Sequence, residues 1–289
     1  MALAFVPAAR GNRGSRPQEK TQAQGKEGKR DKHEESQEIP QGKPGHLVGK
    51  APGMTELLYL KDSYLKEFDA SIAEVLEAQN AIVLDKTAFY VQGGGQPCDT
   101  GVLGGKKVLE VVKKEGKVLH KLENAQGLSA GMKVHGAIDW ARRYWFMKMH
   151  SVGHIIAGVI FKQTGNMITG NQLGNPESRV DFNTEDYSPE FFKMIESKTN
   201  EVIARNLEQE ISFMPREQAL SIPELFRLKD VMPKEIQEFR IVRIGDFDVQ
   251  ADGGTLVKNT EEIGRMKITR TENKGAKNRR LYFTLENAP

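Results

Sequence analysis

Between Ala81 and Asp139 glycine cuts the chain into short β-type runs, and no other feature limits the fold as much. Ala81–Asp85, Thr87–Val91, Lys107–Val112, Lys117–Leu122 and Lys133–Asp139 are strand-like. Connections bearing Gly93–Gly95, Gly101, Gly104–Gly105, Gly116, Gly127 and Gly131 punctuate them. Strands at this spacing predict a small antiparallel β-barrel. After about Ala141 the period becomes helical. Phe146, Met149, Ile156, Val159 and Ile160 recur at helical spacing within Arg143–Gln163, and Ser188-Pro189 opens a second helix through about Leu207. Ile211–Met214, Glu238–Ile244, Asp246–Gln250, Glu262–Arg270 and Arg280–Leu285 read as strands, and Arg216–Lys229 as two short helices broken at Pro223. Helices followed by mixed strands predict a two-layer α+β domain. The expected fold class is α+β, with a barrel domain over residues 54–140 and the α+β domain over 141–289.

Residues 1–53 have a different composition. They hold ten Lys/Arg against six Asp/Glu, and from Gly11 to Pro52 almost no large apolar residue. Such a segment buries too little surface to offset its ordering entropy, which predicts a disordered basic arm. Met1–Arg10 is mildly apolar but short, and no basic stretch precedes it, unlike a secretory signal. No apolar run reaches the ~18–20 residues that span a bilayer. A single cysteine, Cys98, excludes an internal disulfide framework and a Cys-only zinc site. A cytoplasmic protein with no membrane partner is expected.

His150 and His154 stand four residues apart within the first helix, so their imidazoles share a face and can bind one transition metal. Spacing alone leaves open a pair of unrelated helix histidines. Ser151 follows the first histidine where the HExxH protease motif needs glutamate, so the general base of a metalloprotease is missing. His33 and His46 lie in the arm, and His120 and His135 on presumed barrel strands, where surface positions are expected. Further ligands must come from a carboxylate or amide elsewhere. Gly253-Gly254 allows a tight turn that can present Gln250 and Asp252. The run Gly93-Gly94-Gly95 lacks a following Lys-Ser/Thr and opens no helix, so ATP binding is not expected.

Three segments occur in one order: FYVQGGGQPCDTG (Phe89–Gly101), HSVGH (His150–His154) and QADGGTLVKNTEEIG (Gln250–Gly264). Together they resemble the AlaX family of free-standing alanyl-tRNA editing proteins, which are related to the editing domain of alanyl-tRNA synthetase. The resemblance spans about Met54 to Leu285, and the two-block organisation is similar to the longer AlaX forms with an N-terminal barrel domain. It implies a hydrolase that deacylates alanine tRNA mischarged with serine or glycine, using one zinc ion. The family's HxxxH falls on His150 and His154. Its later CxxxH falls on Asp252 and Leu256, of which aspartate can ligate and leucine cannot. Three protein ligands result, with a fourth position for water, substrate or Gln250. Zinc there would hold the aminoacyl end or polarise a water, with Gln250 close to the chemistry. The resemblance further implies that Thr169 recognises the serine hydroxyl and that Gly93, Gly94, Gly95 and Gln96 approach the aminoacyl end. Val91 stands where the pattern often has proline. Leu256 keeps a second reading open, a catalytically weakened tRNA-binding module of the same fold; a third is a zinc-dependent esterase with another substrate. The choice of serine or glycine, and of monomer or dimer, also stays open.

Beyond residue 53 the chain carries 32 basic and 33 acidic residues, so RNA binding needs a local patch. Arg265–Arg280 holds Arg265, Lys267, Arg270, Lys274, Lys277, Arg279 and Arg280 against Glu272 alone. Within it TENKGAKNRR (Thr271–Arg280) reads as a mobile hairpin tip able to meet phosphates near the acceptor stem, with Arg270, Lys274, Lys277, Arg279 and Arg280 as the expected tRNA contacts. Arg142, Arg143 and Lys148 form a second cluster at the start of the histidine helix.

Overall fold

A computed structural model of the chain describes residues 54–226, 237–275 and 277–286. The expected disordered arm and the end of the second short helix near Lys229 lie outside these residues. All described residues fall in one compact unit. The architecture is mixed α+β, with strands predominating.

The first strands are β1 (Glu56–Leu57), β2 (Glu67–Leu76), β3 (Ala81–Leu84), β4 (Lys86–Thr87), β5 (Gly101–Leu103), β6 (Lys106–Lys114), β7 (Lys117–Leu122) and β8 (Lys133–Ile138). Six of them pair antiparallel around a closed circuit, β2-β3-β7-β6-β5-β8, in which β8 returns to β2. Strand β2 shows why. Phe68, Ala70 and Ile72 alternate with charged or polar neighbours and point into a core with Leu84, Phe89, Leu103, Val108 and Leu122.

The expected strand Thr87–Val91 does not form beyond Thr87. Side chains take its backbone donors instead: Phe89 N–H donates to Thr87 Oγ1 at 3.1 Å and Tyr90 N–H to an Asp99 carboxylate oxygen at 2.6 Å. These residues cross the barrel core as buried irregular chain.

His120 was expected at the surface and is fully buried on β7, with Nε2 2.8 Å from Thr87 Oγ1 and its ring against Phe89. Burial lowers its pKa from 6.5 to about 4, although a bond to the Ile82 carbonyl works the other way. Between those values the unfolded chain binds a proton that the folded chain refuses. This contribution to stability therefore falls as pH drops below about 6.5 and levels off below about 4, in total on the order of 3 kcal/mol. Urea melts at pH 7 and pH 4.5, in chelator, should show a smaller pH difference for His120→Gln than for the parent. His135 is exposed, 3.0 Å from Asp69 Oδ1.

Helix α1 (Trp140–Thr164) starts where the Asp139 carboxylate accepts the Arg142 N–H at 3.2 Å, and ends at Gly165, whose φ is 71°. Next come β9 (Ile168–Gln172) and β10 (Ser178–Asn183), two strands absent from the sequence reading, and α2 (Pro189–Ile203), capped by Ser188 with proline at its start. Strand β11 (Gln209–Pro215), helix α3 (Arg216–Leu220), β12 (Glu238–Ile244), β13 (Asp248–Ala251), β14 (Met266–Asn273) and β15 (Asn278–Leu285) complete the chain. Two sheets result, β14-β15-β10-β9 and β11-β12-β13. The expected strand Glu262–Arg270 begins only at Met266, because Asn259 and Glu262 form a capping box around the short turn Thr260–Ile263. Phe146, Met149, Ile156, Val159 and Ile160 of α1 share one core with Ile195, Val180, Phe182, Val242, Ile244, Leu281 and Phe283, which packs the helix between elements of both sheets.

Arg143 ties α1 to the barrel. Its Nε donates to both Asp99 carboxylate oxygens at 3.0–3.1 Å, Nη1 to Ser63 O at 2.8 Å and Nη2 to Ala88 O at 2.6 Å. Both charged partners are fully buried. Arg143 is therefore a structural anchor and not part of an RNA-facing cluster, and its neighbour Arg142 donates to Cys98 O.

Candidate metal centre

One turn of α1 separates His150 from His154, and their rings lie nearly parallel, 13° apart with centroids 4.9 Å apart. Both imidazoles thus present the same edge. Beyond β13 the chain turns at Asp252 and brings its carboxylate to that edge, with Oδ1 3.4 Å from His150 Nε2 and Oδ2 3.5 Å from His154 Nε2. The three donors lie within 4.8 Å of one another. Gly254 makes the close approach possible: a Cβ there would stand 1.9 Å from His150 Cε1.

The protonation state of the rings follows from what lies behind them. Gln250 Nε2 donates to Asp248 Oδ2 at 2.6 Å and to the His154 carbonyl at 3.2 Å, both pure acceptors. Its Oε1 must then accept from His154 Nδ1, 2.8 Å away. Gln96 mirrors it. Its Nε2 donates to Thr255 Oγ1 at 2.8 Å, and its Oε1 accepts from the Thr255 N–H at 3.4 Å and from His150 Nδ1 at 2.8 Å. With both Nδ1 atoms carrying the proton, both Nε2 lone pairs point at the shared space.

Donor geometry in this cluster fits a metal ion. Charge-assisted hydrogen bonds are shorter, ~2.7–2.9 Å. Donors on a tetrahedral ion with bonds of ~2.0–2.1 Å stand ~3.3–3.4 Å apart, close to the spacing here. His154 Nε2 is buried with no hydrogen-bond partner. Burial alone would push the Asp252 carboxyl up and the His154 imidazole down. The two imidazoles instead hold Asp252 well below the usual carboxylate range, and Asp252 lifts His154. A proton on the imidazoles offsets the Asp252 charge, and a cation held by the two Nε2 lone pairs takes the place of that proton.

Gln250, expected near the chemistry or as a fourth ligand, faces Nδ1 and not the ligand edge, so it orients His154. Gln96, expected on substrate, is 1% exposed and orients His150. The sequence reading missed this pairing of two glutamines with two histidines; a glutamine beside each motif was its only trace. Gln250→Leu should lower metal affinity ~10–100-fold, as loss of a partner behind a ligand does. Metal competition titration measures it. Leu256 is buried in the α1 core, away from any ligand role.

The Gly93–Gln96 turn closes with Gly93 N–H to Gln96 O at 3.2 Å and Gln96 N–H to Gly93 O at 2.9 Å. Gly94 and Gly95 both take positive φ, as a type I′ turn requires. The turn rests on β9: Asn171 Nδ2 donates to Gly94 O, and Leu173 N–H to Gly95 O. Thr169 is exposed on the same strand, at the bulge opposite Asp181 and Phe182.

Much of the hairpin's basic charge is paired, by acids from elsewhere in the fold and by its own Glu272. Arg270 pairs with Glu177 and Glu272, Lys274 with Glu272, Lys277 with Glu185, and Arg280 with Asp181. Arg279, expected on tRNA, is buried and donates to Asn273 Oδ1 and to the Glu185 carbonyl. The sequence count saw Glu272 only, because the other acids come from the β10 region.

The family described as "Threonyl and Alanyl tRNA synthetase second additional domain" matches residues 239–282, which include Asp252, and that described as "tRNA synthetases class II (A)" matches residues 12–142. An alanyl-tRNA editing protein AlaX-M of Saccharolobus solfataricus is 42% identical over 239 residues, covering 81% of this chain and 100% of that protein. Its namesake in Methanosarcina mazei is 45% identical over 244 residues, covering 80% and 97%. An alanine–tRNA ligase of Pyrococcus furiosus is 40% identical over 227 residues, which is 75% of this chain and 24% of the ligase.

Proposed function

The chain belongs to the AlaX-M family of alanyl-tRNA editing proteins, and from that premise we propose that it hydrolyses the ester of alanine tRNA mischarged with serine or glycine, with one zinc ion held by His150, His154 and Asp252. The observation that carries this reading is the convergence of two Nε2 atoms and one carboxylate at 3.4–3.5 Å. In this reading residues 54–140 are the barrel domain and 141–289 the editing domain, working in the cytoplasm. Among the described residues, no helix is long and apolar enough to cross a membrane.

A zinc ion so held supplies Lewis-acid polarisation of an ester carbonyl or of an attacking water. The protein's part is positioning. Gln96 and Gln250 fix both imidazole tautomers and aim the lone pairs. Arg240, buried beneath the turn, donates from Nη1 to the Asp252 carbonyl at 2.9 Å and holds the loop that delivers the carboxylate. Thr169 is assigned to the serine hydroxyl, on the strand that supports the glycine turn. A separate hydrolytic step is needed because one small group discriminates by only ~1–3 kcal/mol in a synthetic pocket.

The test is incubation with Ser-, Gly- and Ala-charged alanine tRNA, with and without chelator. Release of serine or glycine, sparing of alanine and loss with chelator are expected. Equal cleavage of all three would remove the proofreading claim.

A further inference from the structure

Tyr64, Trp140 and Tyr144 form a half-buried aromatic bed beside the start of α1. Trp140 stacks on Tyr144 with centroids 5.5 Å apart and an angle of 22°, and Tyr64 lies 5.7 Å from Trp140. Each ring carries an ammonium group: Lys66 over Trp140 at 4.6 Å, Lys148 over Tyr144 at 4.7 Å and Lys258 over Tyr64 at 4.6 Å. Glu262 locks the bed from the side. It accepts from the hydroxyl of Tyr64 at 2.6–2.7 Å and from that of Tyr144 at 2.8 Å, and from the backbone N–H of Lys258 and Asn259 at 3.0 Å each. Burial and this carboxylate push the Tyr144 phenol up to about 12, so both partners keep the form the hydrogen bond needs.

The lack of acidic partners sets these lysines apart. None of the three makes an ion pair among the described residues, whereas Arg270, Lys274, Lys277 and Arg280 of the hairpin all do. Three unpaired ammonium groups held over rings are preorganised: the rings restrict long side chains that would otherwise lose freedom when a ligand arrives. The bed is also built from the elements that carry the metal donors. Tyr144 precedes His150 by six residues on α1, about 9 Å of helix rise. Lys258 ends the loop that begins at Asp252, and its N–H donates to Tyr64 Oη at 3.0 Å.

The geometry points to a phosphate-binding site: Lys66, Lys148 and Lys258, seated on Tyr64, Trp140 and Tyr144, take the sugar-phosphate backbone of the tRNA near its aminoacylated end, in place of the hairpin. This deepens the proposed editing function and rests on it for the identity of the RNA. Polyanion binding here follows from charge complementarity, and the rise of about 9 Å along α1 between Tyr144 and His150 is a span of only a few nucleotides, though the two side chains leave the helix about 120° apart.

The test uses the full chain and uncharged alanine tRNA, with binding followed by anisotropy across a salt series. A Lys66→Gln/Lys148→Gln/Lys258→Gln variant should weaken binding at least tenfold at low salt and flatten the slope of log affinity on log salt by about 2–3. Lys274→Gln/Lys277→Gln should stay within twofold of the parent. In a Trp145→Phe background Trp140 is the sole tryptophan, and its emission should change on adding tRNA. Unchanged affinity and slope in the triple variant, or loss of slope in the hairpin variant, overturns the proposal. Should the triple variant fold poorly, Lys258→Gln with the Trp140 signal decides: an unresponsive Trp140 while tRNA binds overturns it. Failure of the editing reading looks different, since the parent would then bind tRNA without releasing serine or glycine.

Discussion

Asp252→Ala is expected to remove metal retention and deacylation together. The carboxylate is the one negative charge between two Nε2 atoms, at 3.4 and 3.5 Å. Without it two imidazoles remain, and two ligands from one helical turn do not fix a catalytic ion. Losing a partner behind a ligand costs ~10–100-fold in metal affinity, and losing the ligand itself should cost more than ~100-fold. Metal content after dialysis and single-turnover release of serine from charged tRNA measure the two effects. Asp252→Asn retains the volume and the Gly254 N–H contact at 2.6 Å, so it separates loss of charge from collapse of the turn. A parent that holds no metal and releases no serine, so that Asp252→Ala changes neither, would favour the catalytically weakened tRNA-binding module.

Arg143→Met should be the most destabilising single change away from the metal. It leaves the fully buried Asp99 carboxylate without its partner, and strands the Ser63 and Ala88 carbonyls. Breaking a buried pair in this way costs ~3–5 kcal/mol. For a domain of this size that lowers the melting temperature by roughly 10 °C. The double variant Arg143→Met/Asp99→Leu should recover much of the loss, because neither charge is then buried alone. Thermal and urea unfolding of the four proteins of this cycle give the coupling. A folded Arg143→Met protein should bind tRNA like the parent, since no guanidinium surface is exposed.

Local patterns in the sequence were enough for much of the fold. The helical period of Phe146, Met149, Ile156, Val159 and Ile160 and the Ser188-Pro189 start are properties of neighbouring residues, and α1 and α2 formed where those signals stood. Alternation in Glu67–Leu76 was equally plain and went unread, and β9 and β10 carry weaker patterns across bulged pairing. Thr87–Val91 looked like a strand, but Asp99, nine residues beyond Tyr90, captured its backbone donor.

The sequence alone determined that two imidazoles share a helix face, because 3.6 residues per turn places i and i+4 together whatever surrounds them. By resemblance it also nominated Asp252 as the third donor. Tertiary structure decided the rest. Convergence of Asp252 with the histidines, the glutamine behind each ring and the burial of Arg143, His120 and Arg279 depend on which distant segments pack together. Charge follows the same rule. The hairpin looked strongly basic because a sequence counts neighbours along the chain, whereas a carboxylate acts through space, and Glu177, Asp181 and Glu185 arrive from another strand and its flanks to offset part of it.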